Sequence, residues 1–253
     1  MENGFVLEIC VESVDRAVAA ERGGAHRIEL CTDLSSGGIT PSVGLMQVAR
    51  RNLQIPIHVL IRPRAGDFFY TNREFEIMES DIRMAKQFGM DGVVLGLLDE
   101  ERRVDVERTA GLVKLAHPLP VTFHRAFDLC LDLPVALQDV IRTGTARILT
   151  SGGGTRATKG LDRLAELVTA AAGRIVVMPG GGIALDDVAP VLRRTAAREI
   201  HTSLRLASMP GSARAKDKKP VHTSARNQVS EFEDRVRKVI DLFATFGEPA
   251  SAP

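Results

Sequence analysis

Short runs of β-branched and other apolar residues alternate along the chain with longer stretches whose apolar positions recur at helical spacing. The runs are Phe5–Cys10, Arg27–Cys31, Ile57–Arg62, Gly92–Gly96, Val121–His124, Arg147–Thr150, Arg174–Met178 and Glu199–Ser203. Amphipathic stretches lie near 13–23, 43–53, 74–89, 105–116, 134–143, 160–172 and 185–195, with a last one near 230–245. Ser13 and Thr40-Pro41-Ser42 suit helix starts, because a hydroxyl accepts from the free N–H groups of a first turn. Gly89, Gly144 and Gly173 stand where helices end before a strand. Eight strands, each followed by a helix, predict an α/β fold closed as a TIM (β/α)8 barrel, one domain over residues 1–253. An open doubly wound sheet is the alternative, since counting repeats does not show closure. One long irregular segment, 204–230, precedes the last helix. Its Arg205, Arg214, Lys216, Lys218, Lys219 and Arg226 face a single acid, Asp217, and it is expected to be a lid over the barrel mouth or a solvated loop.

Polar residues interrupt the strands in phase. Residues two apart on a strand share a face, and both faces of a barrel strand should be apolar. Yet Glu8 shares a face with Cys10, Glu29 with Cys31, His58 with Leu60 and Arg62, Thr122 with His124, and His201 with Ser203. Turned outward, the carboxylates would be pressed against helices, at several kcal/mol per unpaired ion. Turned inward near the strands' C-terminal ends, they meet water and one another. The expected mouth collects Glu8, Glu29, Arg62, His124, Arg125, Asp128 and His201. Glu8, Glu29, His124, Asp128 and His201 are candidates for proton transfer, with His124 held by a carboxylate. His58, early in its strand, is expected to be a satisfied core histidine. Arg62 and Arg64, in Arg62-Pro63-Arg64-Ala65-Gly66-Asp67, suit a carboxylate or phosphate.

Two glycine-rich turns extend this picture. Thr150-Ser151-Gly152-Gly153-Gly154-Thr155 follows the sixth strand and Pro179-Gly180-Gly181-Gly182-Ile183 the seventh. Such loops let backbone N–H groups approach an anion, and barrels often hold phosphate near their last two strands. Arg125, Ser151, Gly180, Gly181, Gly182 and Ser203 therefore join Arg62 and Arg64 as candidate anion-binding residues; tight turns that need positive φ are the other explanation.

Bulk properties narrow the function classes. The net charge of +1 from 33 basic and 32 acidic residues points to neither a nucleic acid nor a membrane as partner. With no Trp and one Tyr, base stacking is a poor candidate. No apolar run of membrane-spanning length and no leader pattern is present, so a cytoplasmic location with reduced thiols is expected. Of the three cysteines, Cys10 and Cys31 end consecutive strands as two copies of Glu-x-Cys. Strand neighbours lie about 4.8 Å apart, so the pair suits a soft metal such as Cu(I). Cys130 can approach the same mouth. Cysteines acting as small buried hydrophobes are the alternative.

The strings Glu-Ile-Cys, Arg-Ile-Glu-Leu-Cys, Gly-Gly-Ile-Thr-Pro-Ser, Ile-Arg-Pro-Arg-Ala-Gly-Asp-Phe, Val-Thr-Phe-His-Arg-Ala-Phe-Asp, Leu-Thr-Ser-Gly and Met-Pro-Gly-Gly-Gly-Ile resemble the CutC copper homeostasis proteins, from about Phe5 to Ala244. The resemblance implies a TIM barrel, a cytoplasmic homo-oligomer (dimer or tetramer), and copper handling with Cu(I) held by Cys10 and Cys31. The turn His201-Thr202-Ser203-Leu204-Arg205 departs from it, since the family more often has Ser-Ala after the histidine. Two functions stand side by side: Cu(I) binding or trafficking, and a lyase, isomerase or hydrolase acting on a small anionic, possibly phosphorylated, metabolite.

Overall fold

The computed structural model describes residues 4–204 and 225–246. Its parallel strands are β1 (Val6–Val11), β2 (Arg27–Leu30), β3 (Ile57–Leu60), β4 (Gly92–Leu95), β5 (Val121–Phe123), β6 (Arg147–Thr150), β7 (Val176–Pro179) and β8 (Glu199–Thr202). The helices are α1 (Val14–Arg22), α2 (Val43–Asn52), α3 (Asn72–Gln87), α4 (Val106–Ala116), α5 (Leu133–Arg142), α6 (Leu161–Ala171), α7 (Val188–Thr195) and α8 (Ala225–Thr245). Strands β1 to β7 pair in sequence order, and β8 returns to β1, with Glu8 opposite His201. No ladder joins β7 to β8; there Thr202 Oγ1 donates to the Ile183 carbonyl at 2.7 Å. This order is a TIM barrel closed but for one seam. It excludes the doubly wound sheet, whose strand order reverses at a switch point.

Local chemistry explains most boundaries. The Ser13 and Ser42 hydroxyls accept from the first turns of α1 and α2. Gly144 and Gly173 adopt φ of 80° and 72°, where a side chain would be strained. Two helices start two or more residues ahead of the sequence pattern. Helix α3 starts at Asn72 rather than near 74, because Thr71 and Glu74 form a reciprocal capping box ahead of the apolar repeat. Helix α8 starts at Ala225 rather than near 230, because Ala225–Ser230 holds neither glycine nor proline and extends the helix beyond its amphipathic repeat. The irregular segment is therefore shorter than 204–230, and the lid-or-loop expectation for 205–224 lies outside the described residues.

Strand positions divide by parity. Leu7, Ile9, Val11, Ile28, Leu30, Ile57, Val59, Ile61, Val93 and Leu95 join the apolar layer between sheet and helices. The alternate positions face the barrel interior and carry the polar groups. Helix α8 closes the outer layer beside α1, burying Phe232, Val236, Val239 and Phe243 at helical spacing. Its Phe243 ring lies 5.3 Å from that of Phe5.

Two features keep the interior in place. First, imidazoles occupy space that glycines on the next strand leave open. Gly92 is the register partner of His58, and a Cβ on Gly96 would sit 2.6 Å from His124 Cε1. Second, Arg27 binds two carboxylates inside the barrel. Its Nε donates to Glu8 and its Nη2 to Glu199 at 2.6 Å, while Arg147 Nε meets Glu199 at 3.2 Å. Arg27 also reaches across the interior to Met178 Sδ at 3.5 Å.

Gly96→Ala is expected to destabilise the protein by about 1–3 kcal/mol through overpacking, measured by denaturant unfolding. In a His124→Ala background most of that penalty should vanish; an unchanged penalty would disprove the contact. Arg27→Met leaves buried Glu8 without its arginine and Glu199 with Arg147 alone, and should cost about 3–5 kcal/mol. Arg237→Met, which removes surface pairs with Glu233 and Asp234, should cost no more than about 0.5 kcal/mol. Equal effects of the two arginine changes would show that the interior network contributes nothing special.

Candidate functional site

The register of β1 on β2 sets Cys10 opposite Glu29. Cys31 is the next inward position on that side, and the two sulfurs stand 3.5 Å apart. Both thiols are free and buried, with Leu60 and Val94 packed against them. On the β8 side, His201 lies between two carboxylates. Its Nδ1 is 2.7 Å from Glu8 Oε1 and its Nε2 is 3.6 Å from Glu29 Oε2. Cys10 Sγ, a Glu29 oxygen and a His201 nitrogen all lie within 4.8 Å of one another, the one such grouping among the described residues. Glu8, Glu29, His201, Cys10 and Cys31 thus form one cluster, built from three neighbouring strands.

Charge is strongly managed in this cluster. Burial opposes ionisation of Glu8, but Arg27 and then the two histidines outweigh it and hold the carboxyl well below its ordinary range. Glu29 pairs with no arginine or lysine among the described residues: burial pushes it up, and of its charged neighbours His201 and, more weakly, Arg27 work against this while Glu8 adds to it. His201 is raised, because its hydrogen bond to Glu8 and the charges of Glu29 and Glu8 overcome burial. The Cys10 thiol is held well above its ordinary value by its contact with Cys31, by burial and by Glu29. The donor set, two thiols with an adjacent carboxylate and imidazole, fits a soft metal ion once the thiols are deprotonated.

The opposite side of the mouth is organised differently. Asp128, expected to hold His124, instead fills the turn after β6. It accepts from Thr150 Oγ1 at 2.5 Å, Ser151 Oγ at 2.8 Å, Ser151 N at 3.0 Å and Gly153 N at 3.1 Å. Arg125 pairs with the same carboxylate at 2.8 Å. The β6 cradle therefore already holds an anion, one from the protein's own chain. His124 finds no carboxylate; its Nδ1 accepts from the Ala126 N–H at 3.2 Å.

The other sequence candidates separate. Arg62 is 4% exposed, whereas Arg64 lies on the outer loop, committed to Glu74 and Asp67 at 2.6 and 2.9 Å. Gly180 rests against Leu149 and His201, and Gly181 lies beneath the Arg125 guanidinium. The Gly181 and Gly182 N–H groups donate to no acceptor among the described residues. Ser203 follows β8 and is half-buried. Cys130 does not join the thiol pair; it packs with Leu98, Phe127 and Ala136, and burial pushes it up to about 12. His58 is in the core as expected, but not satisfied. Its Nδ1 lies 3.8 Å from Glu8 and makes no hydrogen bond, and burial lowers its pKa to about 3.

Sequence reasoning passed over Arg27, Arg147, Glu199 and Tyr70. The first three had a signal, since Arg27 is in phase with Glu29, Arg147 with Ser151 and Glu199 with His201. Tyr70 had none, being a lone tyrosine in a loop.

The CutC family model matches residues 5–206. The mouse copper homeostasis protein cutC homolog is 52% identical over 203 residues, 80% of this chain and 75% of the mouse protein. The family protein CutC of Xylella fastidiosa is 43% identical over 238 residues, covering 94% of this chain and 88% of its own. Among solved structures, that of the copper homeostasis protein CutC of Streptococcus agalactiae superposes with a TM-score of 0.75 at 31% identity, over 79% of this chain and 98% of that one. With the barrel, its in-phase interior and these matches together, the chain belongs to the CutC family.

Proposed function

We propose that this protein binds Cu(I) as cargo at the Cys10–Cys31 pair and serves in cellular copper handling. The observation that carries the reading is the pair of buried, free sulfurs 3.5 Å apart. Two thiolates are the donor type Cu(I) prefers, and the low-dielectric floor of Leu60 and Val94 keeps competing water away. Binding requires both thiol protons to leave. Glu29 and His201 stand within 4.8 Å of Cys10 and are placed to receive a proton or to complete the coordination. The names of the mouse and S. agalactiae relatives support copper as the cargo. No helix among the described residues is long and apolar enough to cross a membrane, and a cytoplasmic site of action is part of this reading. So is a homo-oligomer: Leu129, Leu131 and Val135, at 47%, 72% and 54% exposure, supply apolar surface that a second copy would cover.

Competition against a Cu(I) chelator tests the assignment. The intact chain should take up one Cu(I) per copy, and Cys10→Ser/Cys31→Ser should lose the competition. Glu29→Gln and His201→Gln should weaken binding by roughly 10–100-fold, the scale of groups that support metal ligands. Unchanged affinity in the double cysteine variant would overturn the reading.

A further inference from the structure

Arg62 and Arg27 are the two buried arginines of the described residues. Arg27 has two carboxylate partners; Arg62 forms no ion pair among the described residues, and its charge acts only weakly on half-buried Asp33. Two of its nitrogens are used by backbone. Nη1 donates to the carbonyls of Ser36 and Gly38 at 3.1 and 2.8 Å, and Nη2 to that of Gly66 at 2.8 Å. These bonds tie the loops after β2 and β3 together, but they leave Nε–H buried without an acceptor. A buried guanidinium with no counter-ion is costly unless an anion reaches it.

Two more orphaned groups stand beside it. Tyr70, 2% exposed, has a buried hydroxyl with no hydrogen bond of good geometry; the Arg62 guanidinium beside it favours ionisation, but burial outweighs this and pushes the hydroxyl up to about 12, so it keeps its proton. His124 is buried with Nε2 unpartnered. Burial and the Arg62 charge lower it to about 3, so the ring is neutral. Because Nδ1 accepts from Ala126, the ring proton is on Nε2, which makes that atom a donor. Phe68 joins the group: the Arg62 guanidinium and the His124 ring each lie 4.8 Å from its centroid.

We propose that Arg62, Tyr70 and His124 form a binding site for a small oxyanion, a carboxylate or phosphoryl group, at the β3 and β5 side of the barrel mouth. The site offers three donors, one fixed positive charge and no acceptor beyond the tyrosine oxygen. That inventory rejects metal cations. It also disfavours neutral polyols, whose hydroxyl protons would go unpaired. It favours a ligand that brings acceptors and negative charge. Arg62 is two residues beyond Leu60 on the inward face of its strand, so the anion would lie one level above the thiol pair. The proposal does not depend on copper binding and stands if that reading fails.

The test is calorimetric titration of the full chain with inorganic phosphate and, separately, with malonate, at constant ionic strength. One-to-one saturable binding of at least one of them is expected, and the tighter of the two identifies the headgroup. Tyr70→Phe removes a single hydroxyl and should weaken binding about tenfold. His124→Gln should weaken it similarly, and Cys10→Ser/Cys31→Ser should leave it intact. As a second readout, the His124 Nε2–H proton resonance should shift on saturation. Absence of saturable binding at tens of millimolar, or equal binding by wild type and Tyr70→Phe, would overturn the proposal.

Discussion

Inside the barrel the Arg27 guanidinium lies between the carboxylates of Glu8 and Glu199, and much of the interior is arranged around that buried charge. An isolated cation at this depth would be too costly to keep. Glu8 is therefore ionised, and as an ionised group it accepts from His201 at 2.7 Å. His201 in turn stands over Glu29, and Glu29 over Cys10. The chain of contacts runs from a structural ion pair at the bottom to two free thiols nearer the mouth. Burial raises Glu29, and contact with Cys31 together with burial raises Cys10, while the charged neighbours add to or oppose these shifts.

The mouth then divides into parts of opposite character. Around Asp128 the Thr150 and Ser151 hydroxyls, the Gly153 N–H and Arg125 form an anion cradle, and the protein's own carboxylate occupies it. That arrangement ties the loop after β5 to the turn after β6. Around Arg62 the balance is reversed: donors and positive charge are collected, and no acidic side chain pairs with them among the described residues. A glycine-rich turn and an arginine can look alike as sequence signals. What distinguishes a built-in brace from an open site is whether the partner already comes from the chain.

Much of this was legible beforehand. The period-2 pattern of β1 to β3 placed Glu8, Cys10, Glu29, Cys31, His58 and Arg62 on one side and Leu7, Ile9, Ile28, Leu30 and Val59 on the other, and the buried layers divide that way. Helix starts at Ser13 and Ser42 followed from hydroxyl capping. Errors arose where a local rule competed with another. The Thr71–Glu74 box moved a helix start ahead of its apolar repeat. Local spacing pairs Asp128 with His124, four residues earlier in the chain, but its donors include groups more than twenty residues away.

The sequence by itself determined the alternation of strand and helix, the parity of the interior, and the presence of thiols, carboxylates and guanidiniums there. These depend on periodicity and desolvation, which act over a few residues. Only the tertiary structure decided which of those groups meet. Glu8 and His201 are 193 residues apart and share a hydrogen bond because β8 returns to β1. Cys10 and Cys31 touch because the β1–β2 register is offset by two residues and not more. Arg62 pairs with no carboxylate among the described residues, while Glu8 is taken by Arg27 and Asp128 by Arg125. Partner choice inside a barrel is set by register and closure, and neither is a local property of the chain.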